Sequence, residues 1–120
     1  MRCADPPGPV KSARMMIAWT TVEKKEDAER MAAEAVRLGL AACVQIDGPI
    51  VSHFKWQGRN ERSEEFRLCF KFAPAALAPL ETWVLAHHPY ENPEWIAVRA
   101  ERAAEKYLSW AEANFTSRPF

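Results

Sequence analysis

The sequence has no excess of charge of either sign: sixteen lysines and arginines offset sixteen aspartates and glutamates in 120 residues. Without a basic run or a positive balance the chain lacks the electrostatic footprint of a nucleic-acid partner. The same absence sets aside anionic membrane surfaces. No apolar stretch approaches the ~20 residues that span a bilayer, and the opening MRCADPPGPVKSAR has no apolar h-region of a secretory signal. Cysteine is sparse. Cys3, Cys43 and Cys69 are odd in number and show no CxxC spacing, which argues against a disulfide scaffold and a structural zinc site. A reducing compartment fits such usage, so the expected location is cytoplasmic. There is also no Gly-rich phosphate loop, no metal-hydrolase motif and no nucleophile with a base at a readable spacing. The chain is not expected to be an enzyme.

What is present is the material of one domain. Hydrophobic residues make up 48% and charged residues 27%, enough for a single core and too apolar for a disordered segment. Residues 1–14 carry Pro6, Pro7, Gly8 and Pro9 without an apolar period and read as a flexible N-terminal tail. The domain is expected over 15–115. MMIAWT (15–20) reads as a strand apolar on both faces, so both faces call for cover. In EDAERMAAEAVRLG, Ala28, Met31, Ala32, Ala35 and Val36 recur at helical spacing, and Gly39 stands at a C-cap position.

LAACVQI (40–46) and IVSHFKW (50–56) read as one strand interrupted by a bulge or bend at Gly48–Pro49. QGRNERSE reads as the turn and return. In EFRLCFKF (65–72), Phe66, Leu68, Phe70 and Phe72 alternate with Glu65, Arg67, Cys69 and Lys71. Pro74 to His88 reads as a second helix, regular from near Ala78, with Pro79 in its first turn and Leu77, Leu80, Val84 and His87 as its stripe. HPYENPE is an irregular link. WIAVRA (95–100) is the last strand, and Ala104, Leu108, Ala111 and Phe115 mark a C-terminal helix. The fold class is α+β: a ferredoxin-like βαββαβ sandwich with one added helix.

The order and spacing of LAACVQI, SHFKWQG, EFRLCFK, HHPYENPE and YLSW, with Thr20–Thr21 before the first helix, resemble the CutA family of divalent-cation tolerance proteins. The likeness runs from about Met16 to about Trp110. It implies a homotrimer of PII-like architecture, its sheets turned toward a threefold axis. It implies a non-enzymatic role in divalent metal tolerance, with some members binding copper. The alternative within the same architecture is a PII-like signalling trimer that binds a small ligand in clefts between subunits.

Two sets of residues follow as site candidates. His87 and His88 match the metal-associated HHPY positions, and imidazole suits Cu(II) and Zn(II). Neighbouring helical residues diverge by about 100°, so both reach one ion only if the helix has ended there or other subunits contribute. Otherwise His87 completes the apolar stripe and His88 is a hydrogen-bonded helix end. The family's copper position at the end of the first strand is Thr20 here, without a thiolate. The second set is Trp56, Glu65, Lys71, Tyr90, Glu91 and Glu94. It reads either as an interface salt-bridge network around an aromatic anchor or as a small-anion or metabolite pocket. Cys43 and Cys69 read as close-packed thiols in strands.

Overall fold

The alternation that begins at Met15 builds the centre of the sheet. The computed structural model describes residues 8–115. Its elements are β1 (Val10–Val22), α1 (Lys25–Arg37), β2 (Cys43–Trp56), β3 (Arg59–Phe72), a 3-10 turn (Pro74–Ala76), α2 (Leu77–His87), β4 (Ile96–Ala104) and α3 (Glu105–Ala113). The strands form one antiparallel sheet in the order β2-β3-β1-β4. This is the expected α+β sandwich with its extra helix.

One face of the sheet carries the core. Met16, Ala18 and Val22 of β1 and Leu68, Phe70 and Phe72 of β3 are buried against Ala28, Met31 and Ala35 of α1 and Leu80 and Val84 of α2. Phe66 packs at the margin of this cluster. Val36 lies off the buried stripe of α1 and is exposed. Gly39 has φ 74°, a left-handed conformation suited to ending a helix. Pro79 is accommodated in the first turn of α2, where its missing N–H breaks no hydrogen bond.

The opposite face has cover only at one end. Met15 joins Leu108 and Ala111 of α3 in a second, smaller cluster. The C-terminal helix therefore crosses to the face that α1 and α2 leave open. Beyond it, Ile96 and Val98 of β4, beside Trp19 and Ile17 of β1, remain 54% and 42% exposed.

Three boundaries differ from the sequence reading. β1 begins at Val10, so residues 10–14 are strand rather than tail, with Val10 opposite Ala104 and Lys11 opposite Ala103. Backbone pairing holds this segment, and that leaves no apolar period to read. The rest of the tail assigned from sequence, including Cys3, falls mostly on residues 1–7, outside the described residues. β4 likewise continues to Ala104. β3 starts at Arg59, not Glu65, because the turn is only Gln57–Gly58. Both turn residues have positive φ, 51° and 78°, the requirement of a two-residue hairpin whose twist matches its strands. The polar run 59–64 is therefore an extended arm rather than a loop. The bend expected at Gly48–Pro49 is present as a register shift between Asp47 and Ile50.

Candidate functional site

The site begins where α2 stops. Pro89 disfavours helical backbone at the residue before it, and His88 is extended, with φ −74° and ψ 136°. His87 is thus the last helical residue. Its ring stacks on Trp83 at 5.0 Å, its Nδ1 lies 2.8 Å from the Trp83 carbonyl, and it is exposed. It does not complete the buried stripe, which ends with Val84.

His88 turns toward β1. The Tyr90 backbone N–H donates to its Nδ1 at 3.0 Å, which assigns the ring proton to Nε2. Nε2 lies 3.0 Å from both the Thr20 hydroxyl and the Thr21 carbonyl. The Thr20 hydroxyl in turn donates to the Glu94 carbonyl at 2.6 Å. The ring nitrogens and Thr20 together fasten the 88–94 link to the end of β1. Burial holds the His88 ring below its ordinary titration range, against the opposing pull of the Thr21 carbonyl.

Within one chain this arrangement does not bring the two imidazoles to one point. The helix ends as the reading of a histidine pair required, but the two imidazoles engage different partners. The Nδ1 lone pair of His88 is already taken by an N–H, and a metal would have to displace it. Thr20, at the copper position implied by the resemblance, commits its hydroxyl to a carbonyl. Among the described residues no three His, Cys, Asp or Glu side chains converge. Within one chain these residues as they stand do not fit a resident metal ion.

The link also closes one side of a cleft of about 880 Å³. The opposite wall is the β2–β3 arm. Trp56, Glu65, Tyr90, Glu91 and Glu94 all line it. Glu65 is buried, and the Tyr90 hydroxyl donates to its Oε2 at 2.8 Å. Burial and the adjacent Glu65 carboxylate push the Tyr90 phenol well above its ordinary range, so it remains a neutral donor. His88 and Tyr90 rings sit 4.9 Å apart.

Lys71 is the exception. It pairs with Cys43 at one end of the hairpin, whereas Trp56 pairs with Arg59 at the other. Its ammonium donates to the Gln45 side-chain carbonyl rather than to a carboxylate. Within one chain it takes no part in the cleft.

The lining also includes residues that the sequence reading passed over. Thr21, Glu23, Phe54, Lys55, Glu61 and Arg62 belong to it. The readable signal for Phe54 was parity: in SHFKW, Phe54 and Trp56 share a face of the strand, and both are exposed aromatics. Glu61 could not be read because it was assigned to the turn. Five carboxylates (Glu23, Glu61, Glu65, Glu91, Glu94) face two fixed cations (Lys55, Arg62) in this lining. The cleft is acidic, which disfavours the small anion entertained from sequence and favours a ligand rich in N–H and O–H donors. The described helices include none long and apolar enough to cross a membrane.

Comparison with known proteins follows this geometry closely. The sequence pattern of the CutA1 divalent ion tolerance protein family matches residues 16–114. The divalent-cation tolerance protein CutA of Yersinia pestis is 30% identical over 108 residues, covering 90% of this chain and 91% of that protein. The chloroplastic CutA of Arabidopsis thaliana is 34% identical over 100 residues, 83% of this chain but only 55% of its own length. Among solved structures, CutA from Synechococcus elongatus superposes with a TM-score of 0.85 at 31% identity, covering 90% of this chain and 96% of that one. The same protein has also been solved in complex with a Bis-Tris molecule, with a TM-score of 0.81 at 30% identity, covering 89% and 100% of the two chains.

Proposed function

The chain belongs to the CutA1 family of divalent ion tolerance proteins, and from that premise we propose that it is a non-enzymatic homotrimer whose working site is the cleft between the β2–β3 arm and the 88–94 link. Divalent-cation tolerance is the role the family name carries. The observation that supports the cleft as its instrument is the Tyr90–Glu65 hydrogen bond at 2.8 Å. It fixes one part of the cleft wall, and Trp56, Glu91 and Glu94 line the same cleft. Such a site binds and orients a small solute, in the manner of a PII-like sensor. Among the described residues no histidine hydrogen-bonds Cys43 or Cys69.

The ligand class follows from the lining. Aromatic faces and an excess of carboxylates suit a small polyhydroxylated or amino compound. Bis-Tris, found with the Synechococcus elongatus protein, has that chemistry. The trimer is supported by the open sheet face, where Ile96 and Val98 leave an apolar strip uncovered by the chain's own helices. Cytoplasmic residence is part of the same proposal and rests on the unpaired thiols Cys43 and Cys69.

Isothermal titration of the intact protein tests the reading. Bis-Tris should bind saturably, and Trp56→Ala and the double Glu91→Gln/Glu94→Gln variant should each weaken it at least tenfold. Cu(II) and Zn(II) form the second arm. Unchanged Bis-Tris affinity in both variants, or copper binding abolished by His88→Ala while Bis-Tris does not bind, would move the working site from the cleft to the histidines.

A further inference from the structure

The wall of the cleft contains a buried carboxylate that lacks a counter-ion within the described residues. Glu65 is 7% exposed, and its Oε2 accepts from the Tyr90 hydroxyl at 2.8 Å. Among the described residues no lysine, arginine or histidine forms an ion pair with it, and its Oε1 takes no hydrogen bond. No polar side-chain atom of these residues is sealed from solvent without a partner, so Oε1 opens onto the cleft that Glu65 lines. A carboxylate held so far from bulk water calls for a cation.

Strand register narrows the kind of cation. On the arm, Ser52 stands opposite Ser63, Phe54 opposite Glu61 and Ile50 opposite Glu65. The period of two puts these side chains on one face, together with Trp56. Glu61 and Glu65 are thus two carboxylates in one row, their backbones about 13 Å apart along the strand. Ser52 and Ser63 stand between them, and Phe54 and Trp56 alongside; all six line the cleft except Ile50. His53, Lys55 and Arg62 belong to the opposite parity, so the cations of the lining are not members of this row. Arg59 lies 3.7 Å from Glu61 with its side chain open to solvent. An exposed pair of this kind contributes little and yields to a competing ammonium.

We propose that the cleft recognises a linear aliphatic polyamine, with one terminal ammonium on Glu65, another on Glu61 and the methylene chain against Phe54 and Trp56. The proposal rests on the reading of this cleft as the working site, and it narrows the ligand from polyhydroxylated or amino compounds to polyamines. An ammonium gives Glu65 a charge-assisted hydrogen bond and the positive charge that the Tyr90 hydroxyl lacks. The aromatic faces attract the cationic chain. Ser52 and Ser63 offer hydroxyl oxygens to an N–H in the middle of the chain. A neutral polyol brings hydrogen bonds but no charge, so the buried carboxylate discriminates against it.

The test is isothermal titration of the full-length protein in phosphate buffer, with the triamine spermidine, butylamine and sorbitol as probes and Bis-Tris as the reference for the cleft. Spermidine should bind saturably and displace Bis-Tris. It should bind at least about tenfold more tightly than butylamine, which can meet only one of the two carboxylates. Sorbitol should not bind. Glu65→Gln and Glu61→Gln should each weaken spermidine at least about tenfold, and Glu61 lies on the solvated arm, outside the core, where its loss leaves folding intact. Glu64→Gln removes the same charge from the opposite face of the strand and should bind as the parent does. Bis-Tris binding without spermidine binding would overturn the proposal and leave the cleft as the working site, whereas absence of both would sink the two together. Equal affinity for butylamine and spermidine, parental affinity in Glu61→Gln, or an equal loss in Glu64→Gln would each overturn the proposal.

Discussion

The Tyr90 hydroxyl donates to Glu65 Oε2 at 2.8 Å, and this one bond joins the link after α2 to a buried carboxylate on β3. The two residues lie 25 positions apart in sequence. Each is explained by the other: Glu65 is 7% exposed and gains a neutral donor, and the phenol is kept protonated by burial and by that carboxylate. Tyr90→Phe should leave Glu65 short of a partner. The expected cost is about 1–3 kcal/mol in urea unfolding. Glu65→Gln keeps an acceptor for the hydroxyl and should cost less. Equal losses for the two variants would show that the bond contributes little.

His88 sets a pH dependence whose sign is fixed by its surroundings. Burial depresses its folded titration below the ordinary value of about 6.5. The unfolded chain therefore takes up the proton first as pH falls. The stability it contributes is complete above about pH 6.5 and declines below that, down to the depressed folded value. His88→Gln cannot take up this proton. At neutral pH it should be less stable than the parent by about 1–3 kcal/mol, because it strands the Tyr90 N–H and the Thr21 carbonyl. The gap between the two proteins should narrow as unfolding is followed from pH 7 toward pH 5. A gap that widens would mean the ring is charged in the folded state.

The two glycines of the β2–β3 hairpin should behave differently on substitution. Gly58 has φ 78°, and an added Cβ would meet nothing within 4 Å. Gly58→Ala should cost only the left-handed backbone, about 1–2 kcal/mol. Gly48 has φ 147°, and its Cβ would come within 2.8 Å of Phe66 Cδ1 and 2.9 Å of the Glu65 carbonyl oxygen. The side chain can give way but the carbonyl cannot. Gly48→Ala should cost about 2–5 kcal/mol and should disturb the cleft through Glu65. Calorimetric melting of the two variants side by side checks the order.

Assembly should depend on the open strip of the sheet. The parent is expected to scatter light as a particle of about three times 13.7 kDa. Val98, 42% exposed and paired with Ile17, should tolerate Thr and not Asp. Val98→Asp should scatter as a monomer while keeping its far-UV circular dichroism. A trimer that survives this charge would have to form through another surface.

Much of this molecule is legible in its sequence. The alternation of Phe66, Leu68, Phe70 and Phe72, the helical spacing of Ala28, Met31, Ala32 and Ala35, and the helix end at Gly39 are local patterns, and burial on one face enforces each of them. The HHPYENPE and LAAC stretches sufficed to point to the family. Other features depend on residues distant in sequence. The pairing of Val10–Ser12 with Arg102–Ala104 leaves no apolar period, because backbone groups make most of it. The polar run 59–64 looks like a loop because the arm it builds carries no core face, only the polar wall of the cleft. His87 and His88 are adjacent letters, yet Pro89 forces the second out of the helix and the fold gives the two rings unrelated partners. Lys71 and Trp56 lie on paired strands, but register sets them at opposite ends of the hairpin. Sequence determined the elements, because propensity and periodicity act over a few residues. Which side chains meet at the cleft was decided by register and by the path of the chain through space.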